Sequence, residues 1–170
     1  GANDTAILSH DMSLPSGTWT VGTLHPDATY TDGGTLTVSP GATLVASHVF
    51  GGAGYYDYPG RTCVVLEGAA QVFELYGGVG GDPSQGSGAG TGGEGIRTSG
   101  SSWSLTVTGG VYGGYGAAGG AAGAGGTGGV AVALTGSGTL TLGSGIAIGG
   151  GGGGRGGNAN SSSHGDAGGS

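Results

Sequence analysis

The chain has 170 residues, enough for one domain, with 8% charged residues, no lysine and a formal net charge of −7. Its three basic side chains, Arg61, Arg97 and Arg155, do not make the clustered positive surface that nucleic acid or anionic lipid requires. The apolar runs fall far short of the ~20 residues of a membrane-spanning helix, and a single cysteine, Cys63, excludes an intrachain disulfide.

Glycine supplies 49 residues and divides the chain, with six in residues 1–50 and 38 in residues 77–170. The division predicts a β-rich part, 1–75, and a Gly-rich part with interspersed short strands, 76–170, in one continuous structural domain. A start at Gly1 in place of Met fits a mature, secreted form that has lost a signal peptide. Asn3-Asp4-Thr5 and Asn160-Ser161-Ser162 match the N-glycosylation pattern.

In chain order, Thr5 to Leu14 comes first. Its residues Thr5, Ala6, Ile7, Leu8 and Leu14 suit an assembly strand that adds to the edge of a neighbour. Thr18-Trp19-Thr20-Val21 and Thr35-Leu36-Thr37-Val38 alternate polar and apolar, and Ala42 to Phe50 makes a further run. Pro15-Ser16-Gly17, Asp32-Gly33-Gly34 and Ser39-Pro40-Gly41 bound these strands as turns. Cys63 to Leu66 and Gln71 to Leu75 flank Glu67-Gly68-Ala69-Ala70 in a hairpin-like unit, with Cys63 a buried strand residue. Trp103, Leu105 and Val107 face one way and Ser104, Thr106 and Thr108 the other. Val130, Val132 and Leu134 repeat this, with Ala131 and Ala133 opposite. Thr139 to Leu142 and Ile146 to Ile148 follow. No stretch carries a sustained helical period, and frequent glycine makes a helix costly.

The recurring unit is strand, tight Gly turn, strand, then a Gly-rich run. Gly113 to Gly129 reads in threes as GGY, GAA, GGA, AGA, GGT, GG, and residues 77–95 as GGV, GGD, PSQ, GSG, AGT, GGE, G. Three residues per turn is the repeat of polyproline II, which has no internal hydrogen bonds. Such segments order only if they bond to neighbours; the alternative is flexible linkers. The expected fold class is all-β: β-solenoid-like stacked short strands with long Gly-rich polyproline-II/polyglycine-II excursions and no substantial helix.

Gly138-Thr139-Leu140-Thr141-Leu142-Gly143-Ser144-Gly145-Ile146-Ala147-Ile148, followed by Gly149 to Gly154 and Arg155-Gly156-Gly157, resembles the Gly-rich tips of phage tail-fibre adhesins. In that family, Gly-rich polyproline-II segments form a sandwich that displays variable loops to a host receptor. The resemblance covers about residues 77–157, and implies as one alternative a tail-fibre tip that binds a host receptor from the virion. The first 75 residues look more like a secreted β-solenoid adhesin.

The residues offer little for catalysis, and no enzyme is expected. His10, His25, His48 and His164 lack ligand-spaced partners. His10-Asp11, His25-Pro26-Asp27 and His164-Gly165-Asp166 read as turn chemistry. Glu67 and Glu74 are the carboxylates with a chance to meet across their unit. Gly77-Gly78-Val79-Gly80-Gly81-Asp82 matches the first part of a calcium-binding repeat, and Gly51-Gly52-Ala53-Gly54-Tyr55-Tyr56-Asp57 has one residue too many. Such ions are shared between tandem turns, so no cofactor is expected and calcium is the weaker alternative.

Tyrosines gather at the edges of the Gly runs. Tyr55, Tyr56, Asp57, Tyr58, Tyr76, Tyr112 and Tyr115 are the candidate contact residues for a partner or ligand, a second copy of the chain or a cell-surface glycan or protein. The alternative is that they cover strand edges within one chain. Thr18/Thr20, Thr29/Thr31, Thr35/Thr37, Thr106/Thr108 and Thr139/Thr141 also resemble the threonine pairs of ice-binding β-solenoids, though threonine is common on any polar strand face. The leading expectation is an extracellular, cell-surface structural protein whose copies assemble into a filament or fibre.

Overall fold

A computed structural model of the chain describes residues 1–27, 33–54, 58–80, 90–117 and 126–151. Among the described residues it is all-β, with no helix. Strands β1 (Thr5–Leu8), β3 (Gly17–Pro26), β5 (Ala42–Phe50), β7 (Ala69–Tyr76), β9 (Trp103–Tyr112) and β11 (Gly138–Leu142) form one sheet in that order, and β12 (Ala147–Gly149) also pairs with β9. Strands β2 (Met12–Leu14), β4 (Leu36–Val38), β6 (Val64–Leu66), β8 (Ile96–Thr98) and β10 (Val132–Ala133) form the second. Every pairing is parallel. From β1 to β11 the chain alternates between the sheets, so each round lays one strand on each; β12 then follows β11 in the first sheet.

This placement corrects the hairpin-like reading of Glu67 and Glu74. β6 and β7 lie in different sheets, and the tight turn between them is a corner. Parallel neighbours need a long crossover, which the rest of the round supplies. Gly41 and Gly100, with φ of 84° and 81°, turn two of these corners in the left-handed region that favours glycine.

Register turns alternation into columns. Trp19, Leu44, Ala70, Leu105 and Leu140 stand in line across the first sheet, as do Leu24, Val49, Leu75, Val111 and Ile148. Met12, Leu36, Val64, Ile96 and Val132 line up in the second. Side chains from both sheets make one core, in which Leu24, Leu44, Leu66, Leu75, Ile96 and Leu105 are fully buried. Burial of each such side chain is worth about 1.5–3 kcal/mol. Trp103, Leu105 and Val107 face this core and Ser104 and Thr108 face water, as their alternation predicts. Further on the expectation fails in part: Ala131 is buried, while Val130 and Leu134 are exposed. Among the described residues β10 is the last strand of its sheet, and no further strand covers it.

The Gly-rich runs carry the chain from the first sheet out and back to the second, and they bond to one another. Gly51 and Gly54 N–H groups donate to Tyr76 and Val79 carbonyls, and Gly77 and Gly80 to Tyr112 and Tyr115. On the returning side, Gly60 and Cys63 donate to Thr91 and Glu94, and Gly92 and Gly95 to Thr127 and Val130. Donors and acceptors both advance by three residues. A second set of bonds crosses between outgoing and returning segments. Gly114 donates to Gly129, Gly129 to Gly78, Gly78 to Gly93, Gly93 to Gly52 and Gly52 to Arg61, over 2.6 to 2.9 Å. The result is two layers joined by one zigzag of backbone bonds, which supplies the partners such glycines need.

Space, and not backbone freedom, demands glycine here. None of these crossing glycines has a positive φ. A Cβ on Gly78 would collide with the Gly52 carbonyl oxygen, one on Gly114 with Gly78, and one on Gly129 with Gly93. The Cα hydrogens therefore point at carbonyl oxygens of the neighbouring segment, a geometry that adds weak C–H···O attraction.

Candidate functional site

Three surfaces follow from this architecture: the two ends of the stack, an aromatic column on the first sheet, and the rim of the Gly layers.

At the first end, β1 pairs with Thr23–Pro26 of β3 only. The Gly17–Val21 half of β3 pairs with β5 on one side and, among the described residues, meets no strand on the other. Beside that free edge lies an apolar groove of about 200 Å³, whose walls include Leu8, Met12, Leu14, Trp19, Val21 and Leu36. Met12 is 52% and Trp19 43% exposed, although the Trp19 indole N–H still donates to the Pro15 carbonyl at 3.0 Å. The sequence-predicted assembly strand is paired within the chain on one side. Thr5 to Leu8 is β1, paired with β3, and Leu14 is in β2, paired with β4. Among the described residues the outer side of β1 meets no strand either, and one strand further in the Gly17–Val21 stretch of β3 is open as well.

At the other end, β11 lies over the Trp103–Val107 half of β9 and β12 over Gly110–Tyr112. Leu142 on β11 is 41% exposed and Leu134, just after β10, is 49% exposed. Among the described residues no strand lies beyond β1 and the Gly17–Val21 half of β3 on one side or beyond β11 and β12 on the other, and these edges carry backbone donors and acceptors beside exposed apolar side chains.

The aromatic column joins residues the sequence scatters. Phe50, Tyr76 and Tyr112 are register partners on β5, β7 and β9. Their rings stack, with centroids 4.6 Å and 5.0 Å apart and planes within 20°. The His48 ring stacks on Phe50 at 6.3 Å, and its Nε2 lies 3.4 Å from Glu74 Oε2. The Tyr76 hydroxyl donates to the same carboxylate at 2.6 Å. That bond, with burial and nearby negative charge, pushes the Tyr76 phenol up to about 12. Tyr76 and Tyr112 are thus half-buried ladder members, with Tyr76 stacked between Phe50 and Tyr112. Tyr58 and Tyr115 are exposed, Tyr115 to 68%, at the Gly layers. Tyr55, Tyr56 and Asp57 lie outside the described residues.

The remaining polar candidates are engaged locally. His10 Nδ1 is 3.0 Å from the Ser9 hydroxyl, and Asp11 accepts the Thr35 N–H at 2.8 Å. His25 Nδ1 is 3.0 Å from the Pro26 carbonyl oxygen. Glu94 accepts from Arg97 Nε at 2.6 Å and from the Thr62 hydroxyl at 3.0 Å. Glu67 precedes β7 and Glu74 lies near its far end, so the extended strand holds their carboxylates apart. Cys63 is fully buried, and burial pushes its thiol pKa up. Among the described residues, no group of three His, Cys, Asp or Glu side chains is placed to hold a metal ion. The calcium-like segments run partly outside the described residues, at Tyr55–Asp57 and from Gly81 on. Thr18, Thr43 and Thr139 share an outward column, but Ala69 and Ser104 interrupt it. Val45 and Gln71 interrupt the column of Thr20, Thr106 and Thr141.

One polar cluster has no counterpart in the sequence reading. Thr98 stands in the core column of Leu14, Val38 and Leu66, yet is fully buried. Its hydroxyl donates to the Thr135 carbonyl at 2.8 Å and accepts the Thr135 N–H at 2.7 Å. The Trp103 indole N–H donates to the same carbonyl at 2.9 Å, and the Thr135 hydroxyl bonds back to the Thr98 carbonyl. This clasp fastens the last corner before β11. Only a polar residue at a position of inward alternation could have signalled it.

Compared with protein-family models, curated proteins and solved structures, the chain matches none of them.

Proposed function

We propose that this chain is a non-enzymatic structural subunit that assembles, copy on copy, into an extracellular filament or surface fibre. In this reading the two sheets are faces of one β-solenoid, one round per coil. The Gly-rich layers are polyglycine-II excursions from its side. The observation that carries the reading is the pair of edges, β1 with the Gly17–Val21 half of β3 and β11 with β12, where among the described residues uncharged strands with exposed apolar side chains meet no further strand. Natural solenoids cap such ends. Only 8% of residues are charged, which leaves few charges to hold copies apart. Negative-stain electron microscopy of the purified chain tests the proposal. Long uniform fibres, unaffected by a calcium chelator, are expected; discrete particles at every concentration overturn it.

A second reading has its own support. The two bonded Gly layers with Tyr58 and Tyr115 exposed beside them suit a receptor-binding tip that meets a cell-surface glycan or protein, as in tail-fibre adhesins. Discrete particles that bind host cells, and lose binding on Tyr115→Ala, favour this reading over the filament.

A further inference from the structure

The two open ends match in length, column and pattern. The free half of β3 is Gly17-Thr18-Trp19-Thr20-Val21, and β11 is Gly138-Thr139-Leu140-Thr141-Leu142. Register through β5, β7 and β9 puts Thr18 in the column of Thr139, Trp19 in that of Leu140, Thr20 in that of Thr141 and Val21 in that of Leu142. Each edge is five residues long and carries no charge. The groove beside β3 is lined by inward-facing residues of both sheets, Leu8, Trp19 and Val21 from the first and Met12, Leu14 and Leu36 from the second, so it takes side chains of a strand laid on that edge. The second sheet repeats the match, since Met12 of β2 and Val132 of β10 share a column at its opposite ends.

We propose that a second copy fills the groove: β11 of one copy docks as a parallel strand on the Gly17–Val21 edge of β3 in the next. This rests on the filament reading and deepens it by naming the contact. Thr18 then pairs with Thr139 and Thr20 with Thr141 on the outer face. Leu140 and Leu142 enter the apolar groove on Trp19 and Val21, and Val132 of β10 covers the exposed Met12. Steric order fixes one further consequence. In the docked pair, β12 of the first copy and β1 of the second compete for one place, between β9 and the next copy's Thr23–Pro26. β12 gives way, because it holds three register pairs against four for β1. Ala6 of the incoming β1 then takes the column position of Ile148, on Val111. The contact joins two different surfaces, so it repeats without closing and yields a linear polymer.

Disulfide trapping in the full chain tests the register. Thr20 and Thr141 face solvent, and Cys63 is buried and inert as background. Thr20→Cys chains are mixed with Thr141→Cys chains under mild oxidation. Register partners on adjacent strands sit about 5 Å apart at Cα, within reach of a disulfide. Thr18→Cys mixed with Thr141→Cys is two residues out of step, about 8 Å, and beyond reach. The expected result is a mixed dimer with the first pair and its loss with the second. Fibres that form without the Thr20/Thr141 cross-link, or with the out-of-step one, overturn this contact and leave the filament reading standing. Cross-linked dimers without fibres support the pairing of β11 with β3 and overturn its repetition, and with it the filament. Neither fibres nor cross-link overturns both.

Discussion

The Gly78 N–H donates to the Gly93 carbonyl at 2.7 Å, and this bond ties the outgoing Gly layer to the returning one. Gly78 also receives a bond from Gly129, and Gly93 passes one to Gly52. A methyl group on Gly78 would strike the Gly52 carbonyl from the side. Gly78→Ala is therefore expected to destabilise the chain by about 2–4 kcal/mol, as overpacking against fixed backbone does. Gly150 has open space where its Cβ would point, and Gly150→Ala is expected to stay within about 0.5 kcal/mol. Urea unfolding of the two variants beside the parent measures the contrast. Equal midpoints would show that the layers tolerate side chains.

The Thr98 clasp gives a second expectation. Thr98→Val keeps the shape of the side chain but leaves the Thr135 N–H without its acceptor, at a cost of about 1–3 kcal/mol. Thr98→Ser restores the hydroxyl and is expected to recover most of the loss. Because Thr135 leads into β11, amide exchange should quicken first around Thr135 to Leu142. A Thr98→Val variant with unchanged melting and exchange would remove the clasp from the account.

The Tyr76–Glu74 bond predicts a pH dependence. The phenol pKa is raised from about 10 to about 12 in the fold. A group whose folded pKa is raised contributes its stability fully below the unfolded value and loses it as pH rises through the folded one. The contribution is thus present below about pH 10 and lost between about pH 10 and pH 12. Spectrophotometric titration should show the Tyr76 phenol ionising late. In Glu74→Gln that phenol is expected to titrate earlier, because the carboxylate that holds its proton is gone. A late phenol that survives the substitution would refute the assignment.

Cys63 supplies a probe of opening. It is fully buried and burial raises its pKa, so the thiolate that reacts with disulfide reagents is suppressed twice. Labelling of the folded chain is expected to be slow, and to rise with urea in step with global unfolding. Rapid labelling in buffer would mean that the corner before β6 opens on its own.

Much of the architecture was legible in local patterns. Trp103 to Thr108 alternates because a strand has a period of two, and its inward and outward residues follow from that alone. The order strand, tight turn, strand, Gly-rich run reads directly from Ala42 to Val130. The triplets of 77–95 announced a chain that needs lateral partners. Yet nothing in Glu67-Gly68-Ala69 distinguishes a hairpin from a corner, because both need the same turn residues. The choice rests on which strand lies beside β7, and β5 and β9 take those places.

The sequence by itself determined that this chain is built of short strands without helix, since glycine and alternation act over a few neighbouring residues. Only the tertiary structure decided which residues share a column. Phe50, Tyr76 and Tyr112 stack in line although they stand 26 and 36 residues apart in the chain. The stretches between them differ in length, and the described start of each Gly-rich run leaves the first sheet while its described end enters the second. Pairing between strands then sets the register, and no spacing along the sequence carries it. The match between the free edge of β3 and β11 has the same origin. The alternation of each was visible in the chain, but their place at opposite ends of one column was fixed by the three strands stacked between.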